Sequence, residues 1–345
     1  MTDFYLLDDS FNICGIIGEY GSLLWRRRFF DVGDFSVLIP SEKLKAVKAA
    51  KYIYHPENDE TAIIEKLEYN TDKNGKKVLR VSGRMLEAIL SDRVIESSAL
   101  IEGTVDSVVS SVLTTYAMTG DRAISLLSLG TDFGCTETVS LQATGKSLMS
   151  FLYSLLQPYG LSYRIRYDAA NNKLKFSVFD GENRSSDQLN NSYAVFSSDF
   201  ENILSDKYIF DISKYRNFAY VAGDGATTSV SLIKDGEDRR ELYVNARDVR
   251  KTLDDGTPLS DTEYTKRLKQ KGLERLKACG KVEHAECEID SSSNLRYRAD
   301  FDIGDICEFS DTEIGITEIL RITGLYESYD DGVFRVSAVF ENVGS

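Results

Sequence analysis

The chain has 345 residues, 42% hydrophobic and 11% aromatic with only 4 prolines, which predicts about two globular domains and excludes a disordered tail. Lys and Arg total 41 against 55 Asp and Glu, a net charge of −14. That balance excludes a nucleic-acid grip driven by counterion release, which needs clustered cations facing phosphates.

The first 95 residues read as strands and turns. Phe4 to Leu7 and Ser22 to Phe30 are extended, Gly33-Asp34 turns, and Phe35 to Ile39 follows as a strand. Ser41 to Ala50 reads as one short helix. Ala62 to Asn70 and Lys77 to Val81 flank Asp72-Lys73-Asn74-Gly75, whose Asn-Gly pair tolerates the positive φ of a tight hairpin. In Trp25-Arg26-Arg27-Arg28 the period of two puts Arg26 and Arg28 on one face and Arg27 on the other.

Thr104 is placed to cap a helix whose Val105, Val108, Val109, Val112, Leu113 and Tyr116 form one apolar stripe, to be packed on a sheet. A second helix is expected from Lys146 to Gln157, with Leu148, Phe151, Leu152 and Leu155 in phase and Pro158 and Gly160 ending it. From Leu161 the pattern is again extended, with turns at Asp180-Gly181 and Asp235-Gly236 and a loop over 185–192. Lys251 to Ser260 is a polar linker. Ser260 or Asp261 then caps a helix to about Cys279, with Gly280 as the stop, and strands resume after Glu283. The segments expected are 1–95 (strands), 96–190 (mixed), 191–250 (hairpins) and 251–345 (a helix and strands), with domains free to interleave.

Two pairs of segments repeat. Val81-Ser82-Gly83-Arg84-Met85-Leu86-Glu87-Ala88-Ile89-Leu90 matches Ala143-Thr144-Gly145-Lys146-Ser147-Leu148-Met149-Ser150-Phe151-Leu152. Each reads as a strand, a glycine that turns the backbone sharply, and a helix with two leucines four apart on one face. Phe30-Asp31-Val32-Gly33-Asp34-Phe35 matches Phe301-Asp302-Ile303-Gly304-Asp305-Ile306, each followed by a strand and a hairpin, the second turning at Asp331-Gly332. Gly33, Gly83, Gly145 and Gly304 are therefore the expected fold-defining turns. Repeated β modules pack about a local pseudo-symmetry, and a closed barrel is one way to leave no edge exposed.

The motifs that suggest chemistry fail on spacing. Thr144-Gly145-Lys146-Ser147 lacks the earlier glycine of a phosphate loop, where Ser140 stands. Asn70-x-Asp72-x-Asn74-Gly75 lacks the bidentate glutamate of a calcium loop, having Val81 instead. Gly223-Asp224-Gly225 reads as a turn. His55 and His284 stand near no nucleophile motif, and the pairs Asp254-Asp255 and Asp330-Asp331 read as solvated turns. Two distant carboxylates meeting in a cleft remain the route to a cell-wall hydrolase. Cys14, Cys135, Cys279, Cys287 and Cys307 contain no Cys-x-x-Cys pair, so neither a disulfide framework nor a zinc cluster is suggested. No cofactor is expected. No apolar run approaches the roughly 20 residues of a membrane span, and no signal peptide is visible.

One cluster runs against the overall acidity. Lys266, Arg267, Lys269, Lys271, Arg275, Lys277 and Lys281 face a single acid, Glu274, on the last helix. A solvated outer face and a docking surface for an acidic neighbour, such as a second copy of the chain, both remain open.

Phe4-Tyr5-Leu6-Leu7-Asp8, Leu24-Trp25-Arg26-Arg27-Arg28-Phe29-Phe30-Asp31-Val32-Gly33-Asp34-Phe35 and Val81-Ser82-Gly83-Arg84-x-Leu86 resemble the baseplate-hub, or tail-tip, proteins of long-tailed phages and prophages. So do Asp238-Arg239-Arg240-Glu241-Leu242-Tyr243-Val244-Asn245-Ala246-Arg247-Asp248, Asp300-x-x-x-Gly304-Asp305 and Arg321-Ile322-Thr323. The resemblance implies a mainly β (α+β) fold, with two related β-barrel-like hub domains decorated by three or four helices. It further implies a homotrimer matching a sixfold tail tube, made in the bacterial cytoplasm and placed in the virion tail. Partners would be the distal tail ring protein, the tape-measure protein, and a tail fibre or lytic module. An acidic lumen would let DNA pass without specific binding. No catalytic role is expected; a hydrolase and a carbohydrate- or receptor-binding module are the alternatives.

Overall fold

Alternation of apolar and polar side chains builds the central strands. Ser22–Arg28 and Asp34–Pro40 both bury every second residue, as a pleat with one face on a core requires. The computed structural model describes residues 2–71, 75, 77–96, 100–143, 145–252, 256–290, 292–330 and 332–343. The tip of the Asp72-Lys73-Asn74-Gly75 turn, Thr144, the Asp254-Asp255 pair and Asp331 lie outside the described residues. The flanking strands Glu60–Thr71 and Lys77–Met85 do pair antiparallel, with Thr71 opposite Lys77.

The principal sheet is an antiparallel path. Its order is Ile203–Asp211, Val282–Ile289, Val333–Asn342, Ile316–Asp330, Ser22–Arg28, Asp34–Pro40, Lys77–Met85, Glu60–Thr71, Tyr52–His55, Phe4–Leu7 and Ile13–Ile17. Ile306–Asp311 joins it at Ile316–Asp330 and carries Val195–Ser197 in parallel. N-terminal and C-terminal strands thus share one sheet, joined where Ser22–Arg28 pairs with Ile316–Asp330, Trp25 opposite Glu327. The mainly β expectation holds. Among the described residues, however, the path stays open and no closed barrel forms.

Four α-helices occur among the described residues: α1 (Leu44–Ala49), α2 (Val105–Ala117), α3 (Leu148–Leu156) and α4 (Asp261–Lys277). The Thr104 hydroxyl accepts from the Ser107 N–H and caps α2, all of whose stripe residues are buried. Leu148, Phe151, Leu152 and Leu155 of α3 are likewise buried, and Gly160 closes the following turn at φ 68°. The two helices pack on each other, α2 also on the Leu100–Thr104 strand and α3 on Ser162–Asp168, inside one core running from Phe4 to Phe176. A second core gathers Phe29 with residues between Ala194 and Phe340. A third, smaller one lies between α4 and the three-stranded sheet of Phe218–Ala222, Thr227–Ser231 and Glu241–Asn245. Ser260 and Glu263 close a full capping box on α4.

Gly83 departs from the expected sharp turn. It lies inside the Lys77–Met85 strand, opposite a bulge between Ile64 and Lys66, where a Cβ would come 1.8 Å from the Ile63 carbonyl oxygen. Its requirement is close backbone approach, and the helical turn that follows over Leu86–Asp92 is 3-10. Gly145 does take a positive φ, 71°, before α3. Both copies nonetheless bury their two leucines, Leu86 with Leu90 and Leu148 with Leu152.

Candidate functional site

The strand period puts Trp25 and Arg27 on the buried face of Ser22–Arg28 and leaves Arg26 and Arg28 on the other, where both pair with Asp34. On the buried face, opposite Trp25 across the sheet joint, is Glu327, 1% exposed. Burial by itself would raise the Glu327 pKa. The His55 hydrogen bond and charge, then Arg298 and Asn58, more than offset it and hold the carboxyl down to about 2.

The geometry behind that shift is a network of charged and polar groups, in which His55 Nδ1, Asn58 Oδ1 and Arg298 Nε are left without a hydrogen bond among the described residues. Glu327 Oε1 accepts from Tyr297 OH at 2.7 Å, Asn58 Nδ2 at 2.8 Å and Arg298 Nη2 at 2.9 Å, while His55 Nε2 lies 3.1 Å from Oε2. Arg27 continues it, with Nε donating to Glu60 Oε1 at 2.7 Å and Nη1 to Asp302 Oδ1 at 2.5 Å and Tyr297 OH at 3.2 Å. Trp25 Nε1 donates to the other Glu60 oxygen at 2.9 Å. Burial, with the nearby Glu327 and Glu60 charges, pushes the Tyr297 hydroxyl well above its ordinary range despite Arg27. Each ion here has a partner, so the chemistry is that of a buried clamp joining segments some 270 residues apart.

The two repeated turns meet at this joint. Asp31 and Asp302 each accept the next residue's N–H, at 2.7 and 2.8 Å. Gly33 abuts the Arg26 carbonyl, and Gly304, at φ 92°, packs on the Phe29 ring while its carbonyl accepts from Arg321 at 2.6 Å. The basic helix lies apart from the joint. Tyr264, Leu268, Gly272 and Leu276 face the third core, so Lys266, Lys269, Arg275 and Lys277 point outward and make no ion pair among the described residues; Arg267 is half-buried. Two of the predicted set are bound among the described residues: Lys271 to Asp248, and Lys281, beyond the end of the helix, to Glu237 at 2.8 Å.

Other candidates resolve as structure. Gly223-Asp224-Gly225 makes the turn between two strands of the small sheet, its first N–H bonded to the Ala226 carbonyl at 2.9 Å. His284 pairs with Glu286 at 2.7 Å. Reading the residues locally missed Glu60, Tyr297 and Glu327, because nothing adjacent to them in the chain marks them as partners. One signal in the chain was countable: residues 282–345 hold fifteen acids against four arginines, so they carry −11 of the net −14.

A family model described as Siphovirus ReqiPepy6 Gp37-like protein matches residues 3–340. No curated protein sequence matches the chain. Among solved structures, the fold is similar to a tail protein from Neisseria meningitidis MC58, with a TM-score of 0.62 at 13% identity over 99% of this chain and 96% of that one. It is similar to the 43 kDa tail protein of prophage MuSo2 from Shewanella oneidensis, with a TM-score of 0.60 at 13% identity over 98% of both chains. Prophage tail protein gp18 from Listeria monocytogenes EGD-e aligns with a TM-score of 0.56 at 12% identity, over 100% of this chain and 95% of that one.

Proposed function

Because the chain belongs to the Siphovirus ReqiPepy6 Gp37-like protein family, a family of phage tail proteins, its place is the virion tail, and we propose that it is a structural baseplate-hub or tail-tip protein there. The observation that carries this reading is the likeness to tail proteins along the whole chain. In it, three copies form a ring on the sixfold tube, contact the distal tail ring and the tape measure, and leave a lumen for DNA. In this reading the lumen is lined by acids of residues 282–345 other than the buried, paired Asp305 and Glu327, and so repels phosphate. The repeated turns are consistent with two related modules in each chain.

The cleft that collects Glu60 and Glu87 speaks against a hydrolase. Its volume of about 50 Å³ takes roughly four waters, far less than a sugar ring with its hydroxyls. One observation favours a second reading, a carbohydrate- or receptor-binding module. The outer face of the small sheet presents Phe218, Tyr220 and Tyr243, the last 69% exposed, with Arg239 over Phe218 at 3.6 Å.

Solution mass and particle images of the purified protein, alone and with its tail neighbours, test the hub. The expected particle is a three-copy ring with an open, acidic centre. A solid or basic centre would overturn the conduit.

A further inference from the structure

The cleft beside the buried clamp is lined by four guanidinium groups, Arg27, Arg28, Arg164 and Arg166, against two carboxylates, Glu60 and Glu87. Three of the four are already neutralised. Arg27 holds Glu60 and Asp302. Arg28 lies 3.4 Å from Asp34 and 3.9 Å from Asp31. Arg166 lies 3.6 Å from Asp59 and 3.8 Å from Glu60. Arg164 is different. It packs against the Phe179 ring at 4.8 Å and its Nε makes one long contact, 3.4 Å, to the Ser177 hydroxyl. No carboxylate pairs with it among the described residues.

Independent of this charge, unsatisfied polar atoms converge on the same cleft. The Thr61 hydroxyl and Arg166 Nε are buried and make no hydrogen bond among the described residues, and both residues line it. Thr61 is only 2% exposed. A native interior rarely leaves donors orphaned, and two at one place mark a missing acceptor. The carboxylates present do not supply it. Both Glu60 oxygens are taken by Arg27 and Trp25. Glu87 accepts the Ile165 N–H at 2.9 Å, and burial pushes its carboxyl up to about 7, so it is partly neutral at neutral pH.

We propose that this cleft is a binding site for one small oxyanion, held by the Arg164 guanidinium, with Arg166 Nε on the same strand face and the Thr61 hydroxyl. The volume of about 50 Å³ holds roughly four water-sized groups, a match for the oxygens of a phosphate or the head of a carboxylate. A planar guanidinium supported by further donors is suited to such a group. The occupant is either a free inorganic ion or an acidic group of a neighbouring polypeptide.

Calorimetric titration of the full chain with inorganic phosphate, and separately with acetate, in low-salt chloride buffer tests the site. Saturable one-site binding is expected. Arg164→Gln should weaken it by about tenfold or more, Thr61→Val less, and Arg164→Lys should keep part of it. The same anion should raise the melting temperature of the wild type and not of Arg164→Gln. Tighter binding of phosphate assigns the site to a free ion, and tighter binding of acetate to a carboxylate from a polypeptide. If Arg164→Gln does not fold, Thr61→Val and Arg164→Lys carry the comparison. Failure of either anion to saturate, or equal affinity in wild type and the Arg164 variants, overturns the proposal.

Discussion

The turns at 30–35 and 301–306 have nearly the same sequence and the same local bond from Asp to the next N–H, yet they do different things. The first lies at a rim. Asp34 sits among Arg26 and Arg28, whose side chains are 36% and 34% exposed. The second is interior. Asp305, 3% exposed, accepts from the N–H groups of Glu182 and Asp302 at 2.8 and 2.9 Å and from Arg184 Nε at 2.8 Å. Local sequence sets the bend, while burial sets how much each copy of it matters.

The largest difference is therefore expected between the two equivalent acids. Asp305→Ala leaves Arg184 with Glu182 as its remaining carboxylate and takes the acceptor from two partly buried N–H groups, and should cost about 3 kcal/mol or more. The two turns would be energetically equivalent after all if urea unfolding gave Asp305→Ala and Asp34→Ala the same loss.

Acid titration probes the buried side next. Glu327 has its pKa lowered from 4.5 to about 2, so its contribution is whole above pH 4.5 and is lost as pH falls toward 2. The loss amounts to about 3 kcal/mol. Unfolding midpoints measured between pH 6 and 2.5 should show this slope, and Glu327→Gln should flatten it. Glu87, raised from 4.5 to about 7, works in the opposite sense. Its burial costs nothing below pH 4.5 and costs progressively more as pH rises through 7. Glu87→Gln should therefore gain stability relative to wild type at pH 8 and not at pH 4; a gain of equal size at both would refute the buried carboxyl.

A smaller effect is expected from Gly304→Ala. Its Cβ would stand 2.5 Å from the Phe29 ring at a φ of 92°, costing roughly 2–3 kcal/mol by strain and overpacking. Thermal unfolding that leaves this variant at wild-type stability would show that the ring can move aside. At the bottom of the scale, Asp34→Ala breaks only half-exposed ion pairs and should cost about 1 kcal/mol or less.

Whatever depends on neighbours in the chain was legible in the sequence. The alternation in Ser22–Arg28 placed Arg27 opposite Arg26 and Arg28, the Ser260 cap opened α4, and the stripes of α2 and α3 named their buried residues, because each rests on bonds or spacings within a few positions. Gly83 was legible as necessary but not for its reason, since the Ile63 carbonyl that excludes a Cβ comes from another strand. Only the tertiary structure decided that Trp25 faces Glu327, that His55, Asn58 and Tyr297 close around it, and that the sheet runs open through both ends of the chain. Long-range pairing is selected by the burial and hydrogen bonding of whole elements together, and no local pattern of residues encodes which distant carboxylate a buried arginine will meet.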